Sequence, residues 1–233
     1  MCTAIAYRGT DLLYGFNLDV DPAVWQFSVR KTKEYFALCV TVGKTDYLVH
    51  GVSRDGHFGN TPYMNSAPAM PPKGMRRERI DLLSDRYIRG KYSFADVEEI
   101  LRTKAVVSPP AAPMHTLLGS GNGEFRIIEP GYGWKAVEER FAVLTNFPVL
   151  TGLPDYDNPF YGKARYDHAQ AVLAAAGEDF SAEDLLRLLC EVRQEGQWAT
   201  RQSFVWSRNR GEVLCFPNGD LSRLEVHSFG SQK

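Results

Sequence analysis

The order of apolar segments and turn residues along this chain predicts an α+β fold, with two β-sheets packed together and helices outside. Three observations carry that reading. Apolar segments separated by turn residues fill the first 64 positions, as antiparallel hairpins do. Helical periodicity with capping residues replaces them at 80–106 and returns at 160–194. Strand-like segments occupy 114–148 and 201–229. Strands, helices, strands, helices, strands is the order of a layered α+β arrangement. No internal repeat, low-complexity tract or clear linker interrupts the 233 residues, so 1–233 is read as one domain.

Each element follows from local chemistry. CTAIAYR (2–8) and LLYGFNLD (12–19) flank the turn Gly9-Thr10-Asp11. VWQFSVR (24–30) and YFALCVTV (35–42) make a second hairpin. YLVHGVS (47–53) and HFGNTPYM (57–64) make a third around Arg54-Asp55-Gly56. The proline-rich stretch 65–78 reads as a surface loop. IDLLSDRYIRGK (80–91) is helical, and Ser93 is placed to cap FADVEEILRTKAV (94–106). MHTLLGS (114–120) and residues 124–129 run either side of Gly121-Asn122-Gly123, and RFAVLTNFP (140–148) follows. Residues 160–176 present Tyr166, Ala169, Val172 and Leu173 on one face. In 182–194 the leucines Leu185, Leu186, Leu188 and Leu189 dominate, with Ser181 and Asp184 as a capping pair. The chain returns to sheet at RQSFVWSR (201–208), EVLCFP (212–217) and LEVHSF (224–229).

Composition narrows the function classes. Lys and Arg number 27 against 28 Asp and Glu, with no basic block to track phosphates, which argues against nucleic acid as a partner. No apolar run is long enough to span a bilayer, and the first residues lack a signal-peptide layout, so a cytoplasmic location is expected. Cys2, Cys39, Cys190 and Cys215 form no C-x-x-C pair, so neither a zinc site nor a redox motif is expected, and free thiols are. Cys39, Cys190 and Cys215 stand in apolar runs and read as small buried hydrophobes.

Cys2 differs by position. Removal of Met1 leaves its α-amine, with an ordinary pKa of roughly 7.7–8.0, beside its own thiol. One residue then supplies a nucleophile and a base. Taken alone, the feature is far better read as merely the second residue of an edge strand.

Four further segments change the weighting. Met1-Cys2-Thr3, Gly15-Phe16-Asn17-Leu18-Asp19, Gly51-Val52-Ser53-Arg54-Asp55-Gly56, Val143-Leu144-Thr145-Asn146-Phe147-Pro148 and Lys163-Ala164-Arg165-Tyr166 occur in one order. Together they resemble the choloylglycine hydrolase family, which includes bile salt hydrolases and penicillin V acylases. The resemblance implies a four-layer αββα N-terminal-nucleophile hydrolase sandwich. It implies cleavage of a linear, non-peptide C–N amide of a small-molecule N-acyl compound, with neither metal nor organic cofactor. Cys2 would attack the carbonyl, and Asp19 would lie near the amine and thiol. The side-chain N–H of Asn146 would meet the oxyanion. Tyr63 would offer its backbone N–H as the second donor, with Asn60 and Asn65 as competitors for that place. Arg165 would sit beside the nucleophile and hold the acidic residues.

The chain also departs from the family. Phe16 stands where the family has an arginine against the cysteine, which makes the site more apolar. Eighteen residues separate Asn146 from Arg165, where bile salt hydrolases carry a longer insertion that helps assemble tetramers. A homo-oligomer and bile salt substrates are therefore left open. The same residues would serve an acyltransferase, and Phe16 leaves room for a silent acyl-binding or interaction member. His50, His57, His115, His168 and His227 share no ligand spacing, and His57 reads as a hydrogen-bonded strand residue. Trp25, Phe27, Tyr63, Phe147 and Tyr156 either line an acyl pocket or belong to the core.

Overall fold

Side-chain alternation along the first strand sets the layering in the computed structural model, which describes residues 2–42, 44–64, 74–109, 112–151 and 162–229. β1 (Cys2–Arg8) turns Cys2, Ala4 and Ala6 to one face and Ile5 and Tyr7 to the other. Its hairpin partner β2 (Leu12–Asp19) sends Leu12, Tyr14, Phe16 and Leu18 the first way and Leu13 the second. Both faces are apolar, so both must be covered.

A second sheet covers the first face. It contains β3 (Gln26–Lys31), β4 (Tyr35–Val42), β5 (Thr45–Ser53), β6 (Phe58–Asn60), β9 (Thr116–Gly119), β10 (Phe125–Glu129) and β11 (Gly133–Val137), in the order β11-β10-β9-β6-β5-β4-β3. The sheet holding β1 is completed by β12 (Phe141–Leu144), β13 (Thr200–Ser207), β14 (Glu212–Pro217) and β15 (Glu225–Ser228), in the order β12-β1-β2-β13-β14-β15. Both sheets are antiparallel throughout. Between them, Tyr14 stacks with Phe58 and Trp206 at centroid distances of 4.6 and 5.3 Å.

Helices cover the outer faces. On the β1 sheet, α3 (Lys163–Ala175) and α4 (Ala182–Glu191) bring Leu173, Leu185, Leu188 and Leu189 against Ile5, Leu13 and Val205. On the other, α1 (Ile80–Ile88) and α2 (Phe94–Thr103) bring Ile80, Leu83 and Val97 against Leu118 and Ile128. The result is the four-layer αββα arrangement. Among the described residues no helix is long and apolar enough to cross a membrane.

Several elements differ from expectation. The second helix stops at Thr103, and Ala105–Val107 is a strand (β8) paired in parallel with Arg77–Arg79 (β7). The segment 57–64 is strand only over Phe58–Asn60, beyond which Tyr63 makes an isolated bridge to Met114. β11 has no counterpart in the sequence reading; it is an edge strand whose first three residues are exposed, so it lacks an apolar pattern. β1 is flanked by β12 and β2, so Cys2 does not stand on an edge strand. All four cysteines are free, but Cys190 is only half-buried. Most of the segment 65–78 lies outside the described residues.

Ser93 and Ser181 cap α2 and α4 through complete capping boxes with Asp96 and Asp184. Each serine satisfies a helix-end N–H that would otherwise lack an intrahelical partner. Ser181→Ala is expected to lower stability by about 1 kcal/mol, which moves the melting temperature down by about 2–4 °C in thermal denaturation.

Candidate active site

The alternation that buries Ala4 and Ala6 between the sheets also aims Cys2 into that gap, where it is 5% exposed. The segments that surround it are distant in sequence. Arg165 enters from the first turn of α3, which begins at Gly162 with φ of 72°. A Cβ at Gly162 would lie 2.4 Å from Arg165 Nη2 and 3.2 Å from Thr145 Cβ, so glycine is required for both backbone and space.

Arg165 is the hub. Its Nη1 donates to the Cys2 carbonyl (3.0 Å), Thr3 Oγ1 (2.6 Å) and Asp19 Oδ2 (3.1 Å), and its Nη2 donates to Asn146 Oδ1 (2.9 Å). A planar guanidinium can serve acceptors from several elements at once. Asp19 is fully buried at the end of β2, and its Oδ1 accepts from the Thr200 hydroxyl at 2.6 Å. Burial pushes the Asp19 carboxyl up to about 6, against the pull of Arg165, the positive amino terminus and the Thr200 hydrogen bond.

Asn146 follows β12. Its Oδ1 accepts from the main-chain nitrogen of Cys2 (3.0 Å), and its Nδ2 donates to the Tyr63 carbonyl (2.6 Å). The strands carrying Tyr63 and Met114 are joined by His115 N–H to Pro62 O and Met64 N–H to Pro113 O. In such a pairing the N–H and C=O of Tyr63 both point to the other edge, toward Asn146. The Tyr63 side chain is 45% exposed.

A buried pair supports this segment from beneath. His115 Nε2 donates to the Thr145 carbonyl at 2.7 Å, and its Nδ1 faces Glu129 Oε1 at 3.3 Å. Glu129 in turn accepts the backbone N–H groups of Val149 and Leu150 at 2.7 and 3.0 Å. Asn146 is thus held between two anchored ends.

Cys2, Asp19, Asn146 and Arg165 therefore converge in one cluster, with the Tyr63 backbone joined to it through Asn146. Asn60 is elsewhere: its side chain donates to Leu117 O and accepts from Leu117 N, which locks it into the second sheet. Asn65 and Tyr156 lie outside the described residues. Phe147 is fully buried against Tyr166, and Trp25 and Phe27 pack on the core between the sheets. His57 lies outside the strands, although its backbone is hydrogen bonded to Ser53 through both its N–H and its carbonyl. It precedes β6, stacks on Tyr87 at 4.6 Å, and its buried Nδ1 has no partner among the described residues.

One residue at the cluster was not singled out from sequence. His50 on β5 places Nε2 3.9 Å from Cys2 Sγ, and its ring stacks on Phe16 with centroids 3.7 Å apart. Its only sequence signal was that it shares a strand face with Val52, which belongs to the core between the sheets. Burial pushes the Cys2 thiol up to about 11, while the positive amino terminus and Arg165 oppose the rise. A cavity of about 400 Å³ bordered by Arg54, His57, Glu124 and Arg208 does not touch Cys2, Asp19, His50, Asn146 or Arg165. Among the described residues no group of three or more His, Cys, Asp or Glu is arranged to hold a metal ion.

No protein-family model matches this sequence, and no curated protein sequence matches it significantly. Solved structures do. A mutant of the conjugated bile acid hydrolase from Clostridium perfringens aligns with a TM-score of 0.67 and 12% identity, over 97% of this chain and 92% of that one. Penicillin V acylase from Agrobacterium tumefaciens aligns at 0.60 and 14% identity, over 93% and 83%. An N-acylethanolamine-hydrolyzing acid amidase ortholog from Caenorhabditis elegans aligns at 0.59 and 15%, over 89% and 93%. The four-layer αββα fold is the one this chain shares with these solved structures.

Because Gly162 is left-handed and abuts Arg165, Gly162→Ala is expected to destabilise the protein by about 1–2 kcal/mol from the backbone alone. The shift in denaturant midpoint, at an unchanged slope, measures it.

Proposed function

We propose that this protein hydrolyses a linear, non-peptide amide of an N-acyl compound, with Cys2 as nucleophile and its own α-amine as base. The observation that carries this is the set of contacts around Cys2. Its main-chain nitrogen lies 3.0 Å from Asn146 Oδ1, its carbonyl is held by Arg165, and its thiol enters the gap between the sheets. The reading draws further support from the fold shared with a conjugated bile acid hydrolase, a penicillin V acylase and an N-acylethanolamine-hydrolyzing acid amidase.

With Met1 removed, the Cys2 nitrogen is an amine that donates one N–H to Asn146 Oδ1 and keeps its lone pair for the thiol proton. The amine takes the thiol proton, and the sulfur attacks the amide carbon. The resulting oxyanion accepts from the second N–H of the Asn146 side chain, whose first already serves the Tyr63 carbonyl, and from the Tyr63 backbone N–H. The ammonium then protonates the leaving amine, which departs and leaves a thioester on Cys2. Water activated by the same amine releases the acid. Arg165 and Asp19 position the nucleophile and do not exchange protons with the substrate. The acyl group is apolar, in keeping with the apolar gap between the sheets, where the fully buried Phe16 stacks on the His50 ring that meets the thiol.

Intact mass spectrometry after incubation with a panel of N-acyl amides tests the reading. Loss of Met1 and a transient acyl adduct that is absent from Cys2→Ala are the expected results. Retained Met1, or adducts unaffected by Cys2→Ala, would leave a binding or interaction protein instead. Transfer to an added amine acceptor in preference to water would identify an acyltransferase. Asn146→Ala is expected to lower kcat by about 10²–10³ in steady-state assays.

The mechanism needs Asp19 ionised, because only the carboxylate accepts from both Arg165 and Thr200. Below the loss set by protonation of the α-amine, activity should therefore fall further as pH drops through about 6. The Thr200 hydroxyl favours the charged form, so Thr200→Val should move this acidic limb to higher pH in a kcat/KM profile.

A further inference from the structure

The amine-and-thiol scheme places a negative sulfur in a buried gap, and an unpartnered buried anion is costly. His50 on β5 is the side chain of the opposite sheet that meets it, with Nε2 3.9 Å from Sγ. Which nitrogen of the ring carries the proton decides what the residue does. The backbone N–H of Thr61 points at Nδ1 from 3.3 Å, and an N–H can only donate. Nδ1 is therefore the acceptor, and in the neutral ring the proton resides on Nε2, facing the sulfur.

Three surroundings keep that tautomer in place. Phe16 stacks on the ring with centroids 3.7 Å apart and planes 26° apart, which fixes its orientation. His50 is 2% exposed, so the sulfur-facing N–H has no bulk water to turn to. Burial holds the imidazole well below its ordinary pKa, so the ring stays neutral through the working range.

From this geometry we infer that His50 is a catalytic residue of this site: its Nε2–H is a fixed donor that stabilises the Cys2 thiolate, and it is not the general base. The inference rests on Cys2 being the nucleophile proposed above. A base would have to accept the thiol proton at Nε2, and that would put a proton on Nδ1 or a charge on the ring. The Thr61 N–H opposes the first and burial the second. Other groups act on the same sulfur. Asp19, from β2, raises the thiol's pKa through its carboxylate and lowers it through its backbone N–H; Arg165, from α3, and the amino terminus lower it. His50 adds a neutral donor from the opposing sheet, and the contact is expected to shorten once the sulfur is charged.

Two measurements on the full chain test this. In ¹⁵N NMR of the unmutated protein, His50 should show a bare Nδ1 and a protonated Nε2 from about pH 5 to 9, without the ordinary histidine titration. A protonated Nδ1, or an imidazolium in that range, overturns the inference. The second measurement is the pH dependence of Cys2 alkylation by iodoacetamide, followed by mass spectrometry with Cys2→Ala as background. His50→Phe, which keeps the stack on Phe16 and removes the donor, should move the apparent thiol pKa up by about one unit. His50→Gln, which can return an N–H, should recover part of that shift. A folded His50→Phe protein with an unshifted profile overturns the inference, and if that variant does not fold, the NMR result decides alone. Neither readout uses an amide substrate. Failure to find hydrolysis with a shifted alkylation profile would therefore sink the proposed activity and leave the His50–thiolate contact standing.

Discussion

The guanidinium of Arg165 is the interaction on which the rest of the site depends. It joins the first residue of β1, the last residue of β2 and the segment after β12, and all of these are fixed by a side chain from a helix in another layer. The same group docks the helix. Only Ala169 and Leu173 of α3 are fully buried, whereas α4 buries five residues. The polar fork therefore carries part of the attachment that an apolar stripe would otherwise supply. A buried carboxylate such as Asp19 is tolerable only with partners of this kind, since removing either member leaves a charge without compensation.

Around that hub, the two sheets have different duties. The β1 sheet supplies the cysteine and its carboxylate, and strand pairing with β13 brings Thr200 opposite Asp19. The second sheet supplies the surfaces that close on them. It contributes His50 at the sulfur and Glu129, whose carboxylate ties down the backbone after Asn146. A single buried carboxylate on β10 thus sets where an amide on the other sheet can point. The thiol lies in the contact zone of the two layers, so small changes in sheet packing alter its polar environment directly.

The β-hairpins, the capped helices and the four layers were legible because each rests on local patterns. Turn residues bracket apolar runs, and Ser93 and Ser181 precede helices with Asp three positions on. β11 was not legible because an edge strand needs no apolar face, and Ala105–Val107 continued a helical pattern until its parallel partner won. Cys2, Asp19, Asn146 and Arg165 were legible as an ordered set of short segments. His50 was not, for a geometric reason. In the pairing of β4 with β5, Leu38 faces His50 and Cys39 faces Leu48, so Val49 is an extra residue. That bulge reverses the faces on either side of it, and no alternation read from Leu48 predicts that His50 points inward.

The arrangement of the β1–β2 hairpin also has a consequence for how the chain becomes competent. The hairpin forms from neighbours in sequence, but the strands that flank it, β12 and β13, begin at Phe141 and Thr200. Arg165 and Thr200 arrive with those distant segments. An emerging polypeptide therefore carries its cysteine long before it carries the groups that organise it. Pairings so remote in sequence are slow to find, because loop closure comes before any contact can reward it. The thiol and its partners meet only when the last third of the chain has joined the sheet, so the nucleophile proposed for this protein is organised by complete folding alone.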